Sequence, residues 1–276
     1  MGNCKPMSTP LEAKTKTSSN DILLDDPSYF RGLVGALQYL TLTRPNLSYS
    51  VNYVSQFIHS LTIVHLKLVR RILRYVKGTI DIGLHFTSNT TLDLCAFSDA
   101  DWVGCPTTRH STTGYCTFLG GNLISWCAKK QHTISQSSTE AEYRVMANTA
   151  AKLTWMTFIL KDLHIPLASP PILYCDNLNA LHMTVNPVFH ARSKHIELDD
   201  HFVHERVALG FHITQHISTN DQVADLFTKP MSKGRLSYFR TKLCLQPRHR
   251  LRESISTTQT HNSDPARQGD VGGSTR

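Results

Sequence analysis

The sequence predicts an α/β fold in which a five-stranded mixed sheet is flanked by helices and preceded by a small helical segment. Three β-rich runs come first, and Gly120 and Gly121, between the second and the third, predict a hairpin. A long helical pattern follows, after which strand and helix patterns alternate. A hairpin-led group of strands with helices after it is typical of a mixed sheet covered by helices.

The N-terminal part contains a polar stretch and then three helical patterns. Residues 1–27 are rich in Ser, Thr, Pro and Lys, which predicts a disordered leader. Residues 28–88 repeat apolar side chains at three- and four-residue steps. The third pattern also has a basic face, formed by Lys67, Arg70, Arg71, Arg74 and Lys77. This face is compatible with an ordinary solvated helix surface or with a surface that follows a phosphate backbone.

Residues 90–245 hold the predicted sheet. The predicted strands are TLDLCAF, GYCTFL, LISW, ILYC and GFHITQHI. The long helix begins at the N-cap candidates Ser137, Ser138 and Thr139, and a helix-like segment covers 195–209. The predicted buried stripe of the long helix consists of Tyr143, Met146, Ala147, Ala150 and Leu153. A last helix is predicted to start at Asn220 or Asp221. Residues 247–276 are polar and rich in Gly, Ser, Thr and Arg, which predicts a disordered tail.

Composition narrows the class of protein. No run approaches the ~18 apolar residues of a membrane span, and the N-terminus lacks the apolar stretch of a secretory signal. We therefore expect a cytoplasmic or nuclear protein without a membrane partner. Seven cysteines without a CxxC pair indicate reduced thiols rather than a disulfide framework or structural zinc. The net charge of +8 favours a polyanionic partner.

Four acidic residues occupy positions from which their side chains can converge. Asp99 and Asp176 end predicted strands, Glu142 lies one turn into the long helix, and Asp225 lies in the last helix. Taken singly, Asp99 also suits a turn and Asp176 a helix cap. Glu142 also suits the helix dipole, and Asp225 a solvated helix surface. Together they suit Mg²⁺, which prefers hard oxygen ligands, and two such ions can assist an in-line phosphoryl displacement.

Several long phrases carry a resemblance to a known family. SDADWVGCPTTRHSTTGYC, STEAEY, YCDN, NPVFHARSKHIE and QVADLFTKPM resemble the end of the Pol polyprotein of copia-type LTR retrotransposons. RGLVGALQYLTLTRPNLSYSVNYVSQF is similar to the segment that links polymerase to ribonuclease H in that family. The resemblance covers about residues 25–245. It implies a ribonuclease H-like fold over 90–245 and a helical remnant of the reverse transcriptase thumb or connection over 28–88.

The resemblance also implies a reaction: endonucleolytic hydrolysis of the RNA strand of RNA–DNA hybrids during reverse transcription, leaving 5′-phosphate and 3′-hydroxyl ends. The implied cofactors are two Mg²⁺ ions, for which Mn²⁺ can substitute. Asp99 would bridge both ions, Asp225 would hold the one that activates water, and Glu142 and Asp176 would hold the other. Asp101 is an alternative to Asp99, and Glu140 competes with Glu142; the family positions favour Asp99 and Glu142.

The resemblance to the copia-type family also suggests partners and leaves a competing hypothesis open. The chain has no aromatic-x-Asp-Asp motif, so we expect no polymerase activity. The expected protein partner is the missing polymerase domain of the polyprotein. The expected location is a cytoplasmic virus-like particle or the nucleus. Candidate contacts to the hybrid are Arg109, Lys129, Lys130, Asn177 and Lys194. Thr107 and His110 replace the acidic and basic residues usual in the family, which leaves open an inactive remnant that at most binds nucleic acid.

Overall fold

The computed structural model describes residues 4–12, 22–24, 26–59, 61–105, 108–185 and 197–247. The tail predicted to be disordered, 247–276, lies outside these residues except for Pro247. Lys194 and Thr107 also lie outside them. No helix in the described ranges is long and apolar enough to cross a membrane.

The helices and strands alternate largely as the sequence predicts. The α-helices are α1 Pro27–Leu40, α2 Ser48–Ser55, α3 Ile63–Lys77, α4 Ser138–Asp162, α5 Leu178–Val185, α6 Glu197–Ala208 and α7 Lys233–Lys242. The strands are β1 Ile82–Leu84, β2 Leu94–Asp101, β3 Thr112–Leu119, β4 Asn122–Lys130, β5 Ile172–Cys175, β6 Ile213–His216 and β7 Leu245–Pro247. Short 3-10 turns cover Pro45–Leu47 and Val223–Phe227.

The main sheet has the strand order β4-β3-β2-β5-β6. Strands β2, β3 and β4 are antiparallel to one another, whereas β5 and β6 run parallel to β2. This mixed sheet flanked by helices confirms the predicted ribonuclease H-like fold. Because β2 and β5 are parallel neighbours, their carboxyl ends meet at one edge of the sheet, where ligand sites of open α/β sheets form.

Two hydrophobic cores cover the two faces of the sheet. On one face α4 packs its predicted apolar stripe, including Tyr143, Met146 and Leu153, against Leu173 of β5. On the other face the core is continuous from α1–α3 through β3 to the 3-10 turn and α7. The helical segment 28–88 and the sheet therefore share one hydrophobic core.

A second, smaller sheet joins two segments that are far apart in the sequence. Strands β1 and β7 pair antiparallel in a separate two-stranded sheet, with Gly83 opposite Gln246. The sequence patterns predict neither strand, and they do not predict α5 or α7 either. A three-residue strand carries too little periodic pattern to be recognised locally.

Residues 4–12 pack along α3 instead of forming part of a disordered leader. The guanidinium Nε of Arg74 donates to the carbonyl of Lys5 at 2.7 Å, and Arg71 pairs with Glu12. The polar composition of this segment predicts disorder. The prediction fails because the partners that order the segment lie some sixty residues away in the chain, outside any local pattern. The basic face of α3 is thus partly occupied; its exposed members are Lys67, Arg70 and Lys77, of which Lys77 donates to the carbonyl of Cys4 at 3.0 Å.

Candidate active site

The four predicted carboxylates lie at one end of the sheet. Asp99 belongs to β2, Glu142 to the second turn of α4, Asp176 follows β5, and Asp225 lies in the 3-10 turn. Asp99, Glu142 and Asp225 are 3%, 7% and 3% exposed, and Asp176 is half-buried. The charges of the four act on one another: those of Asp225 and Asp176 act on Asp99, and those of Asp99 and Asp176 act on Glu142. The structure therefore brings all four together.

The turn that carries Asp225 differs from the predicted helix. It is a 3-10 turn capped by Gln222, whose side chain accepts a hydrogen bond from the N–H of Ala224, rather than an α-helix capped by Asn220 or Asp221. Gln222 is fully buried, and its amide nitrogen also donates to the carbonyl of Ser98 at 3.0 Å. This contact anchors the turn to β2 and places Asp225 beside Asp99.

Two cations contact Asp225. The ammonium Nζ of Lys229 lies 2.7 Å from Asp225 Oδ1 and 3.7 Å from Asp99 Oδ2. Nη2 of Arg235, from α7, lies 2.9 Å from Asp225 Oδ2. The hydroxyl of Thr228 donates to Asp99 Oδ2. Asp225 and Asp99 are thus held in fixed orientations by their neighbours in the turn and in α7.

The carboxylate of Asp176 accepts hydrogen bonds from neutral side chains. The hydroxyl of Thr219 donates to Asp176 Oδ2 at 2.9 Å, and the amide of Gln222 donates to Oδ1 at 3.3 Å. Arg235 Nη2 also donates to the carbonyl of Thr219 at 2.6 Å, which connects this side to the Asp225 side. The loop before the 3-10 turn therefore orients two carboxylates at once.

Glu142 has a buried oxygen without a hydrogen bond. Its Oε2 is buried and accepts no hydrogen bond from the described residues. A buried polar atom without a partner is costly, by about 1–3 kcal/mol, and such an atom calls for an explanation. A bound cation would supply the missing partner.

Burial makes this cluster difficult to ionise completely. Burial raises the pKa of Asp99 to about 7; Lys229 opposes this shift, and the charges on Asp225 and Asp176 add to it. Burial also raises the pKa of Glu142 well above its usual value, and the Asp99 and Asp176 charges add to that shift. Four carboxylates with two neighbouring cations leave an excess of negative charge, which a divalent cation would offset.

The residues present fit a hard divalent cation. Asp99, Glu142, Asp176 and Asp225 offer only oxygen ligands, as Mg²⁺ requires, and one carboxylate oxygen of Glu142 lies within 4.8 Å of an Asp176 oxygen. A divalent ion between Asp99 and Asp225 would displace Lys229, since the ammonium lies between them.

The two competing acidic residues have other surroundings. Glu140 accepts from the backbone N–H of Gln136 at 2.7 Å and pairs with Arg144 at 2.8 Å, so it faces away from the cluster. Asp101 ends β2 and is less buried than Asp99, although the charges of Asp225 and Lys229 still reach it. Asp101 therefore lies at the rim of the site.

The candidate nucleic-acid contacts lie in different places. Lys129 and Lys130 line a groove of about 450 Å³ between the end of β4 and α4. Arg109 is exposed in the loop before β3. The side chain of Asn177 accepts from the N–H of Ala180 at 3.1 Å, so it caps α5. Lys194 lies outside the described residues.

Sequence reasoning missed the cations and hydroxyls that hold the carboxylates. Lys229 was detectable, because it follows Asp225 by four residues and such pairs meet on one face of a helix. Arg235 was not detectable, since α7 itself was not predicted and the contact depends on how α7 folds back.

We expect Lys229→Met to destabilise the metal-free protein by about 1–2 kcal/mol, because it leaves buried carboxylates without their counter-ion, although Lys229 is partly solvent-screened. Addition of Mg²⁺ or Mn²⁺ should restore most of this loss. The measurement is thermal unfolding with a chelator and with each ion. Lys233→Met, at an exposed position of α7, is the matched control. Equal metal-free stability of Lys229→Met and the unaltered protein would contradict the ion-pair assignment.

Comparison with known proteins identifies relatives of the chain. No protein-family model matches it. It is 46% identical, over 88% of its length, to the retrovirus-related Pol polyprotein from transposon RE2 of Arabidopsis thaliana, and covers 17% of that polyprotein. An uncharacterized mitochondrial protein of the same plant is 59% identical over 56% of the chain and 65% of its own length. A ribonuclease H1 isolated from compost matches with a TM-score of 0.39 and 14% identity, over 50% of this chain and 94% of that one.

The chain thus spans about a sixth of the length of the Pol polyproteins that it matches. A Pol polyprotein from transposon TNT 1-94 of Nicotiana tabacum is also 32% identical over 85% of the chain. The resemblance carried by the sequence phrases is confirmed, and the chain belongs to the retrovirus-related Pol polyproteins of copia-type transposons.

Proposed function

We propose that the chain hydrolyses the RNA strand of RNA–DNA hybrids endonucleolytically, as part of a retrotransposon Pol polyprotein. Its family and its fold support a ribonuclease H-like role in a retrotransposon. The observation that carries the finer proposal is the buried carboxylate cluster at the sheet edge, with a partnerless oxygen on Glu142.

The proposed site would hold two Mg²⁺ ions, or Mn²⁺, through Asp99, Glu142, Asp176 and Asp225. Bound there, the ions would stabilise the attacking and leaving oxygens of an in-line phosphoryl displacement. Asp99 is suited to a bridging position, because its charge acts on Asp225, Asp176 and Glu142 alike. Burial of the cluster strengthens every electrostatic contact within it.

The neighbouring residues would position these carboxylates. Thr228 fixes Asp99, Arg235 fixes Asp225, and Gln222 with Thr219 fixes Asp176. Because these orienting contacts come from the 3-10 turn, the loop before it and α7, the carboxylates are held before substrate arrives. Such preorganisation lowers the cost of reaching the reactive geometry.

The side chains that line the groove beside β4 suit a nucleic-acid substrate. Besides Lys129 and Lys130, it is lined by the exposed side chains of His132, Thr133 and Asn148. Cations with neutral donors are the contacts that position a nucleic-acid backbone. Discrimination for the RNA strand would depend on its 2′-hydroxyl groups, which distinguish RNA from DNA.

The setting of this activity is proposed from the family. The matched relatives are polyproteins of which the chain spans about a sixth, so the reverse transcriptase polymerase domain is the proposed partner. Hybrid produced by that polymerase would be the substrate, in the cytoplasmic virus-like particle or the nucleus.

A panel of labelled duplexes tests the proposal. With Mg²⁺ or Mn²⁺ at low salt, we expect cutting of the RNA strand in an RNA–DNA hybrid, with 5′-phosphate and 3′-hydroxyl products. Double-stranded RNA and double-stranded DNA should remain intact. Retarded migration of the hybrid in a gel, without any cutting, would support the inactive nucleic-acid-binding remnant instead. Low salt is needed because phosphate contacts weaken steeply with ionic strength.

A further inference from the structure

A thiol lies beside two of the carboxylates. Cys175 is the last residue of β5 and is fully buried. Its Sγ, a carboxylate oxygen of Glu142 and a carboxylate oxygen of Asp176 all lie within 4.8 Å of one another. Among the described residues, this is the group of three or more Cys, His, Asp and Glu side chains close enough to hold one metal ion. The site therefore contains a sulfur ligand as well as oxygen ligands.

The hydrogen bonds of this group leave ligand atoms available. Glu142 Oε2 is buried and accepts no hydrogen bond from the described residues. The Cys175 sulfur accepts from the N–H of Asn177 at 3.4 Å and makes a long 3.9 Å contact to the carbonyl of the same residue. Thiols form weak hydrogen bonds, so these contacts hold the sulfur in place without competing strongly with a metal ion.

One thiolate with two carboxylates selects a different class of ion than four carboxylates do. Sulfur ligands favour borderline-soft and soft cations such as Zn²⁺ and Cd²⁺, whereas Mg²⁺ takes hard oxygen ligands. Zinc binds Cys sulfur together with Asp or Glu oxygen in a tetrahedral arrangement, and water can fill the remaining position.

We propose that Glu142, Cys175 and Asp176 form a binding site for a thiophilic divalent cation, which competes with Mg²⁺ and inhibits the enzyme. On binding, the sulfur–metal bond forms as the S–H bond breaks, and the proton passes to solvent. The ion takes Glu142 and Asp176 away from the hard-cation site. The inhibition, though not the binding, rests on the proposed function.

The accessible side of the group is Asp176. This carboxylate is half-buried, whereas Cys175 is fully buried and Glu142 is 7% exposed. An incoming ion therefore meets Asp176 first and then the thiol and Glu142. The bonds from Thr219 and Gln222 to Asp176 come from neutral side chains, so a cation meets no charge repulsion from them.

Cadmium titration of the folded chain tests the proposal without relying on activity. A cadmium–sulfur bond gives an ultraviolet charge-transfer band. We expect this band in the unaltered protein and its loss in Cys175→Ser, with affinity for Cd²⁺ falling at least about tenfold. Cys105→Ser and Cys244→Ser, which alter half-buried thiols elsewhere, should keep the band. An unchanged band in Cys175→Ser would overturn the proposal.

A second variant and a second readout separate the possible failures. Glu142→Gln keeps the thiol and should weaken cadmium binding; unchanged binding would overturn the assignment of Glu142. In the hybrid-cleavage assay with Mg²⁺, Cd²⁺ should inhibit the unaltered protein at concentrations at least about tenfold lower than for Cys175→Ser. Equal inhibition of both would overturn the competition. If no variant cuts the hybrid but the band still depends on Cys175, the proposed function fails and the metal site stands.

Discussion

Replacement of Asp99 by Asn, or of Glu142 by Gln, is expected to reduce the rate of hybrid cleavage at least about 100-fold, since each removes a charge from the centre of the site. Both substitutions keep the shape of the side chain. They also remove a buried negative charge, so we expect the metal-free variants to be at least as stable as the unaltered protein. Single-turnover cleavage and thermal unfolding in a chelator measure the two effects.

The direction of the stability effect follows from the pKa of Asp99. Burial raises this pKa to about 7 in the fold, compared with about 3.9 in an unfolded chain. The folded state then binds more protons than the unfolded state, so metal-free stability falls as the pH rises from about 4 towards 7, by at most about 1.4 kcal/mol per pH unit. Asp99→Asn should remove this contribution.

Glu140→Gln is the matched control for both variants. It lies in the same part of α4 but faces Arg144 and the backbone of Gln136. We expect cleavage to change less than about threefold, because this partly buried ion pair lies outside the carboxylate cluster and a helical pair of this spacing contributes at most about 1 kcal/mol. If Glu140→Gln were as inactive as Glu142→Gln, or if Asp99→Asn cut the hybrid normally, the assignment of the carboxylates would be wrong.

Gly114→Ala is expected to destabilise the protein by about 1–3 kcal/mol, as overpacking of a tight contact does. Gly114 lies opposite Asp99 in the β2–β3 register. A Cβ atom at this position would overlap Cγ2 of Thr228 and lie 3.0 Å from both the Ala224 carbonyl oxygen and Cβ of Phe227. The 3-10 turn must therefore move away from the sheet.

That movement should also impair catalysis. The turn carries Asp225 and the Thr228 hydroxyl that holds Asp99, and a displacement of about 1 Å in a catalytic group can cost about 100-fold in rate. Gly83→Ala is the control, because its Cβ would meet nothing within 4 Å. Cleavage rates and the free energy of unfolding are measured for both. A Gly114→Ala protein with normal stability and rate would show that the turn is not packed against β3 as described.

Much of the fold could be predicted from local patterns. The hairpin, the long helix and the five strands of the main sheet all have strong periodic or turn signals, and the apolar stripe of α4 lies where the pattern puts it. The missed elements, β1, β7, α5 and α7, are short or lack a strong amphipathic pattern. The two strands also depend on partners far away in the chain. Packing over long sequence distances is not visible in a local window.

The candidate site, too, is predicted in part by local sequence patterns and depends in part on distant packing. Strand ends and helix turns identify which carboxylates can converge, because those positions share one edge of the sheet. Local patterns do not predict the side chains that orient these carboxylates. Arg235 and Gln222 reach the site through the fold-back of α7 and through the burial of an amide against β2. The environment of Asp225 was therefore mispredicted as a regular helix, although its position in the sequence was recognised.

The central claim is that a divalent cation at this cluster enables the chain to cut RNA in a hybrid. The most direct measurement is a time course with a hybrid labelled on both strands, first with a chelator and then after addition of Mg²⁺ or Mn²⁺ in excess. The account predicts an intact hybrid with the chelator, and after addition of metal a shortened RNA strand beside a full-length DNA strand. A folded protein that leaves the RNA intact with both ions at low salt would contradict it.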